Sequence, residues 1–135
     1  MESNSKTKLV SHAIGRRKTA IASVRVYTGT GEIVVNDKPA SKYFPGALSQ
    51  SRLLLPFTTL DLSKYTATVR VHGGGYESQL DATVLGLARS LAEIKADFQV
   101  AMRNAGLLTR DPRERQRRMV GMGGKSRRRK QSPKR

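Results

Sequence analysis

Apolar residues return at every second position between Ala20 and Val26: Ala20, Ala22, Val24 and Val26 alternate with Ile21, Ser23, Arg25 and Tyr27. A period of two predicts a β-strand within residues 14–27, its even positions turned to a core and its odd ones away. Thr28, Gly29, Thr30 and Gly31 read as a turn, and Glu32 to Asn36 as a second β-rich run. The two runs are expected to pair as an antiparallel hairpin, with glycines supplying positive φ in the loop. Asn36, Asp37, Lys38 and Pro39 then break the strand and open a short helix over 39–44, ended by Pro45 and Gly46. A further short helix is expected over 47–55, stopped by Pro56.

A third strand is predicted over 66–72, with Val69 and Val71 on one face and Thr68, Arg70 and His72 on the other. Gly73, Gly74 and Gly75 turn the chain into its strongest helical signal. There Leu80, Val84, Leu87, Leu91 and Ile94 step by four, three, four and three, a continuous apolar stripe. Ser78 is a candidate N-cap, and Asp81 three residues later suits a helix N-terminus. A last helix over 96–104 stops at Asn104, Ala105 and Gly106. The order strand, strand, helix, helix, strand, helix, helix predicts an α+β fold, a two-layer α/β sandwich with helices on one face of a small sheet.

Charge then divides the chain. It carries 26 Lys and Arg against 10 Asp and Glu, a net +16. Residues 21–109 are nearly balanced, with nine basic and seven acidic side chains. Residues 110–135 hold twelve basic side chains against Asp111 and Glu114, no aromatic residue, and only Met119, Val120 and Met122 as apolar ones. Such a segment cannot bury enough apolar surface to offset the entropy of ordering it. The expected organisation is a flexible extension over 1–10, a globular RNA-binding body over 11–109, and an extended basic tail over 110–135, disordered until it meets a polyanion. Nucleic acid has the charge density to order it. Residues 119–135, fully extended, would reach at most ~55–60 Å at ~3.3–3.6 Å per residue.

Other chemistries find little support. The chain has no cysteine, so disulfides, thiolate metal sites and thiol catalysis are excluded. No apolar run approaches the ~18 residues of a membrane span. The first ten residues lack the pattern of a signal or transit peptide, so the protein is expected to act in the compartment where it is made. His12 and His72 have no carboxylate or nucleophile set around them and read as polar or RNA-facing side chains; no enzyme, metal or cofactor is expected. The triglycine fits neither a P-loop nor a dinucleotide fingerprint. It reads as a strand-to-helix turn, with phosphate binding as an addition. The candidate phosphate ligands are the cluster Arg16, Arg17 and Lys18; the tail cations Arg110, Arg113, Arg115, Arg117 and Arg118; and beyond them Lys125, Arg127, Arg128, Arg129 and Lys130. Sparse aromatic residues argue against base stacking as the main binding mode.

An ordered set of motifs resembles the universal small-subunit ribosomal protein number nine, in its bacterial and plastid form. The set runs Gly15-Arg16-Arg17-Lys18-Thr19-Ala20, Gly31-Glu32-Ile33-Val34-Val35-Asn36, Tyr43-Phe44, Gly73-Gly74-Gly75, Gly86-Leu87-Ala88-Arg89-Ser90-Leu91 and Gly106-Leu107-Leu108-Thr109-Arg110-Asp111. It closes with Lys125-Ser126-Arg127-Arg128-Arg129, Gln131 and Lys134-Arg135. The resemblance implies a body with the fold of ribosomal protein five domain 2, including a left-handed β-α-β crossover. It implies a structural constituent of the small subunit, on ribosomal RNA in the head beside neighbouring head proteins, in a bacterial cytoplasm or an organelle stroma. It also implies that Lys134 and Arg135 approach the peptidyl-site tRNA. Two departures stand out: Ser132 and Pro133 replace the family's aromatic residue and serine, and Ser78, Gln79, Leu80 and Asp81 replace a Gly/Ala-rich helix start. A DNA-compacting protein would share the charge but bring a groove-reading helix or a dimer pattern. A phosphate-handling enzyme would need a catalytic set.

Overall fold

The computed structural model describes residues 8–120. Its elements run β1 (Leu9–Arg17), β2 (Ala20–Thr28), β3 (Val34–Val35), β4 (Lys38–Pro39), α1 (Ala40–Tyr43), α2 (Ala47–Thr59), β5 (Tyr65–His72), α3 (Tyr76–Ala92) and α4 (Ala96–Asn104). They form a mixed α/β body with one five-stranded sheet, ordered β1-β2-β5-β3-β4.

Alternation builds the centre of the sheet. Ala20, Ala22, Val24 and Val26 of β2 are fully buried, as are or nearly are Ala67, Val69 and Val71 of β5. These side chains meet the apolar stripe of α3, where Leu80, Leu87 and Leu91 are also fully buried. Each such leucine contributes roughly 1.5–3 kcal/mol by leaving water. Met102 anchors α4 to the same core, and Leu107 and Leu108 pack on its rim where the body ends.

The expected hairpin between β2 and the run from Glu32 to Asn36 does not form. The partner of β2 on that side is β1, which begins at Leu9, and its other edge is taken by β5, antiparallel in both cases. With both edges occupied, the chain after Thr28 has to leave β2. The Gly29 N–H donates to the Lys64 carbonyl (2.8 Å), which carries the chain past the start of β5. Val34 and Val35 then pair with β5 in parallel, opposite Thr68 and Val69. The real two-residue hairpin is β3–β4. Its loop residues Asn36 and Asp37 both have positive φ (47° and 64°), which short polar side chains tolerate.

Asn36 does more than turn the chain. Its N–H donates to the Val69 carbonyl (2.9 Å), while its side-chain amide donates to the Val71 carbonyl and accepts from the Val71 N–H, both at 2.9 Å. A side-chain amide thus stands in for one more residue of the β3–β5 ladder.

Two helix boundaries also differ from expectation. Pro56 lies buried inside α2, which runs on to Thr59 instead of stopping at Leu55. Hydroxyl bonds from Thr58 and Thr59 to the Leu54 and Leu55 carbonyls (3.1 and 2.8 Å) accompany that last turn. Ser78 is not the cap of α3; it is buried in the first turn, and Gly75 precedes the helix. Tyr76 fixes this earlier start by donating its hydroxyl to the Pro45 carbonyl and meeting Ser49 Oγ, both at 2.8 Å.

α3 lies unusually close to the β1–β2 hairpin. A Cβ on Gly15 would overlap the Ala82 carbonyl oxygen and come within 2.5 Å of the Gly86 nitrogen, and one on Gly86 would sit 2.6 Å from Val24 Cγ2. At the outer edge of the sheet, Arg89 of α3 donates to the Ile14 carbonyl of β1 (3.0 Å).

Candidate nucleic-acid interface

The basic cluster at the β1–β2 turn is split by strand parity. Ala13 and Gly15 face α3, so Arg17 does too, while Arg16 faces the opposite side and is exposed. Lys18 sits in the turn, exposed, with φ 51°. Arg17 has only 14% of its side chain exposed and is held by two carboxylates, Asp111 at 2.7 Å and Asp81 at 3.6 Å. It also donates to the Asp111 carbonyl (3.3 Å). Its neighbours extend the network: Arg52 bridges Asp81 and Glu77.

This network fastens the root of the tail. Asp111 lies against Arg17 on one side and accepts from Arg113 on the other, with contacts of 2.7 and 3.0 Å from the guanidinium and 3.0 Å from the Arg113 N–H. These bonds, from Arg113 first and Arg17 after, hold the Asp111 carboxyl well below the usual carboxylate range. Arg113 is correspondingly raised. Glu32 is lowered as well, chiefly by the hydroxyl and then the N–H of Ser41 (2.6 and 3.2 Å). Past this anchor, residues 112–119 adopt neither helix nor strand, and Arg115, Arg117 and Arg118 are exposed; Arg110, just before it, is exposed too. Lys125, Arg127, Arg128, Arg129, Lys130, Lys134 and Arg135 lie outside the described residues, as do Ser132 and Pro133.

The glycine turn is a packing device. Gly73 and Gly74 have φ of 76° and 64°, and a Cβ on Gly73 would stand 2.5 Å from the Thr19 carbonyl oxygen. The turn therefore seats directly on the β1–β2 loop. At the start of α3, Glu77 and Asp81 sit among guanidiniums, so Asp81 is already neutralised by Arg52 and Arg17.

Two cations escaped the sequence-level site: Arg25 and Arg70, both exposed on the same sheet face as Arg16. The alternation in β2 and β5 assigns them to that face. What was missing was β1, without which Arg16 had no place beside them. His12 joins the face and lies 3.0 Å from Ser23 Oγ; His72 is exposed at its end. Among the described residues there is no group of His, Cys, Asp or Glu that could hold a metal, and no helix is long and apolar enough to cross a membrane.

A compact body whose Asp81 and Glu77 are held by guanidiniums, with further guanidiniums exposed on a sheet face and along a tethered segment of chain, defines a protein that binds a polyanion. Residues 15–135 match the family model described as ribosomal protein S9/S16, and the chain belongs to that family. It is accordingly a structural, non-enzymatic protein of the small ribosomal subunit that binds ribosomal RNA.

Proposed function

We propose that this protein sits in the head of the small subunit, its body on ribosomal RNA and its tail running through the RNA to the peptidyl-site tRNA. The body, 11–109, is read as the sandwich of the ribosomal protein five domain 2 type; parallel β3 and β5 joined through α1 and α2 support that reading. Residues 1–10, of which Leu9 and Val10 open β1, serve as an extension and 110–135 as the RNA-threading tail. The observation that carries the proposal is the anchor at Asp111. It fixes where the tail leaves the body and holds Arg113, while Arg110, Arg115, Arg117 and Arg118 stay exposed for phosphates. Arg16 and Lys18 contribute from the body, Lys125, Arg127, Arg128, Arg129 and Lys130 from further along, and Lys134 and Arg135 present their charges to tRNA phosphates. Arg17, assigned by sequence to phosphate, acts in this reading through the anchor.

A truncation pair tests the assignment. Removing residues 110–135 should lower the salt dependence of RNA binding by roughly four to five log units per log unit of salt, at ~0.7–0.9 per phosphate contact and about half of the tail cations engaged. Removing only Lys134 and Arg135 should leave assembly intact and speed tRNA dissociation from the peptidyl site of purified subunits. Such contacts carry no base code, so several tRNAs should respond alike. Unchanged dissociation for all of them would leave the tip as a ribosomal-RNA contact.

A further inference from the structure

Among the described residues, one face of the sheet carries no helix. α3 covers the side onto which Ala13, Gly15, Ala22, Val24, Ala67 and Val69 project, and the alternate residues of β1, β2 and β5 face away. Register places these outward residues in rows. Arg16 stands opposite Ile21 and that opposite His72; Ile14, Ser23 and Arg70 form the next row; His12, Arg25 and Thr68 form the third. Each strand thus supplies one arginine. With ~4.8 Å between strands and ~6.8 Å per two residues, their Cα atoms lie about 8–14 Å apart, within reach of one another's ligands.

The three strands bring charge of one sign to this face; Glu32, at its Tyr27–Thr68 end, has its carboxylate bonded to Ser41. β1, β2 and β5 contain no acidic residue, and every acid of the body lies in residues 29–64 or 73–109. Arg17 and Arg52 are held by carboxylates, and Arg89 by a strand carbonyl. Arg16, Arg25 and Arg70 have no ion pair or hydrogen bond to protein among the described residues, and all three are exposed. Three like charges with no carboxylate between them repel, and an anionic surface laid across them removes that repulsion. The apolar share these strands give the face, Leu9, Ile14, Ile21 and Tyr27, includes a single aromatic ring, too little for a platform of stacked bases. A broad, shallow, cationic surface matches the backbone side of a double-helical RNA segment, whose minor groove is wide and shallow and is met through phosphates and 2′-hydroxyls.

We propose that this uncovered face is a second RNA-contact surface, separate from the tail, and that Arg16, Arg25 and Arg70 grip backbone phosphates of a ribosomal RNA helix. The proposal rests on the ribosomal reading above and adds the surface and the mode of contact.

The test compares full-length wild type with Arg16→Gln/Arg25→Gln/Arg70→Gln, using purified small-subunit ribosomal RNA as probe. A control of equal charge, Lys42→Gln/Lys95→Gln/Arg103→Gln, alters exposed cations of the helical layer. At ~0.7–0.9 per contact, the face variant should lose about 2–3 from the salt slope. Between about 50 and 200 mM salt, wild-type affinity should then fall about 20–40-fold further than that of the face variant. The control should follow wild type. Equal losses in the two variants would make net charge the cause and overturn the proposal. Wild-type behaviour of the face variant would also overturn it, with the ribosomal reading intact; a wild type that fails to bind this RNA would overturn both. Since the chain has no cysteine, a photo-crosslinker on Thr68→Cys in assembled subunits gives a second readout. RNA adducts support the contact, and adducts to a neighbouring protein alone would reassign the face to a protein partner.

Discussion

Asn36 offers the sharpest test of how the two-residue strand β3 is held. Its amide makes two 2.9 Å bonds to the Val71 main chain and meets the Tyr43 hydroxyl at 3.2 Å, while its backbone sits at φ 47°. Replacing it with Ala removes both ladder bonds, each contributing about 0.5–1.5 kcal/mol net, and the part-buried Val71 groups lose their partners. Ala also dislikes the left-handed conformation by about 1–2 kcal/mol. Together these give a loss of about 2–5 kcal/mol for Asn36→Ala, or roughly 8–20 °C at ~4 °C per kcal/mol for a body of this size. Asn36→Gly keeps the conformation and loses only the amide, so it should recover about 1 kcal/mol of that loss, offset slightly by glycine's extra unfolded entropy. Asn36→Asp retains the acceptor and lacks the donor, leaving the Val71 carbonyl unpaired, and should fall between wild type and Gly near neutral pH. Thermal melts of the four proteins at one salt concentration provide the measurement. A Gly variant that melts with wild type would show that the amide contributes nothing and that only backbone conformation is at stake.

Two further outcomes follow from the geometry. Gly15→Ala should destabilise the body by about 3 kcal/mol or more, since a methyl there meets the α3 backbone and not a side chain that can move aside; a melting temperature within 2–3 °C of wild type, roughly, would contradict the close approach. Asp111 has a folded pKa below its ordinary 3.8. The anchor's contribution is therefore complete above that value and is lost as pH falls through the lowered one. Carboxyl carbon NMR should show Asp111 still ionised where free aspartate is half protonated, with Arg113→Gln raising its midpoint more than Arg17→Gln. Titration at the ordinary value in the wild type would refute the anchor.

The parts of the fold that were legible in sequence are those where one face is apolar and the period is clean. β2 and β5 qualify, with buried positions where their alternation puts them, and so does α3 at Leu80, Leu87 and Leu91, while Val84 and Ile94 of the expected stripe are only partly buried. β1 carries no such signal, because its inward residues are Ser11, Ala13, Gly15 and Arg17. They are small or charged for reasons that lie elsewhere in the chain. The Ser11 hydroxyl meets both the Ser90 hydroxyl and carbonyl at 2.8 Å, Gly15 makes room for α3, and Arg17 answers Asp81 and Asp111. The same gap hid half of the candidate site: a basic triplet reads as one patch until strand parity sends Arg16 and Arg17 to opposite sides. β3 was visible as a strand but not in its pairing, since two valines say nothing about which edge they join.

The bond from Arg89 to the Ile14 carbonyl bears on the life of the protein before it meets RNA. β1 is the outermost strand, and an open edge of nine residues is a template on which a second copy could add a strand. Arg89 occupies one of the carbonyls such a copy would need, and the irregular register between Leu9 and Ser11 interrupts the ladder further along. A copy approaching this edge would have to displace a guanidinium from its acceptor and bring up another strand carrying Arg16 and Arg17 of its own. The edge is thereby a poorer template for a second copy than a bare strand would be, a property suited to a basic protein that must wait in free form for the RNA on which it assembles.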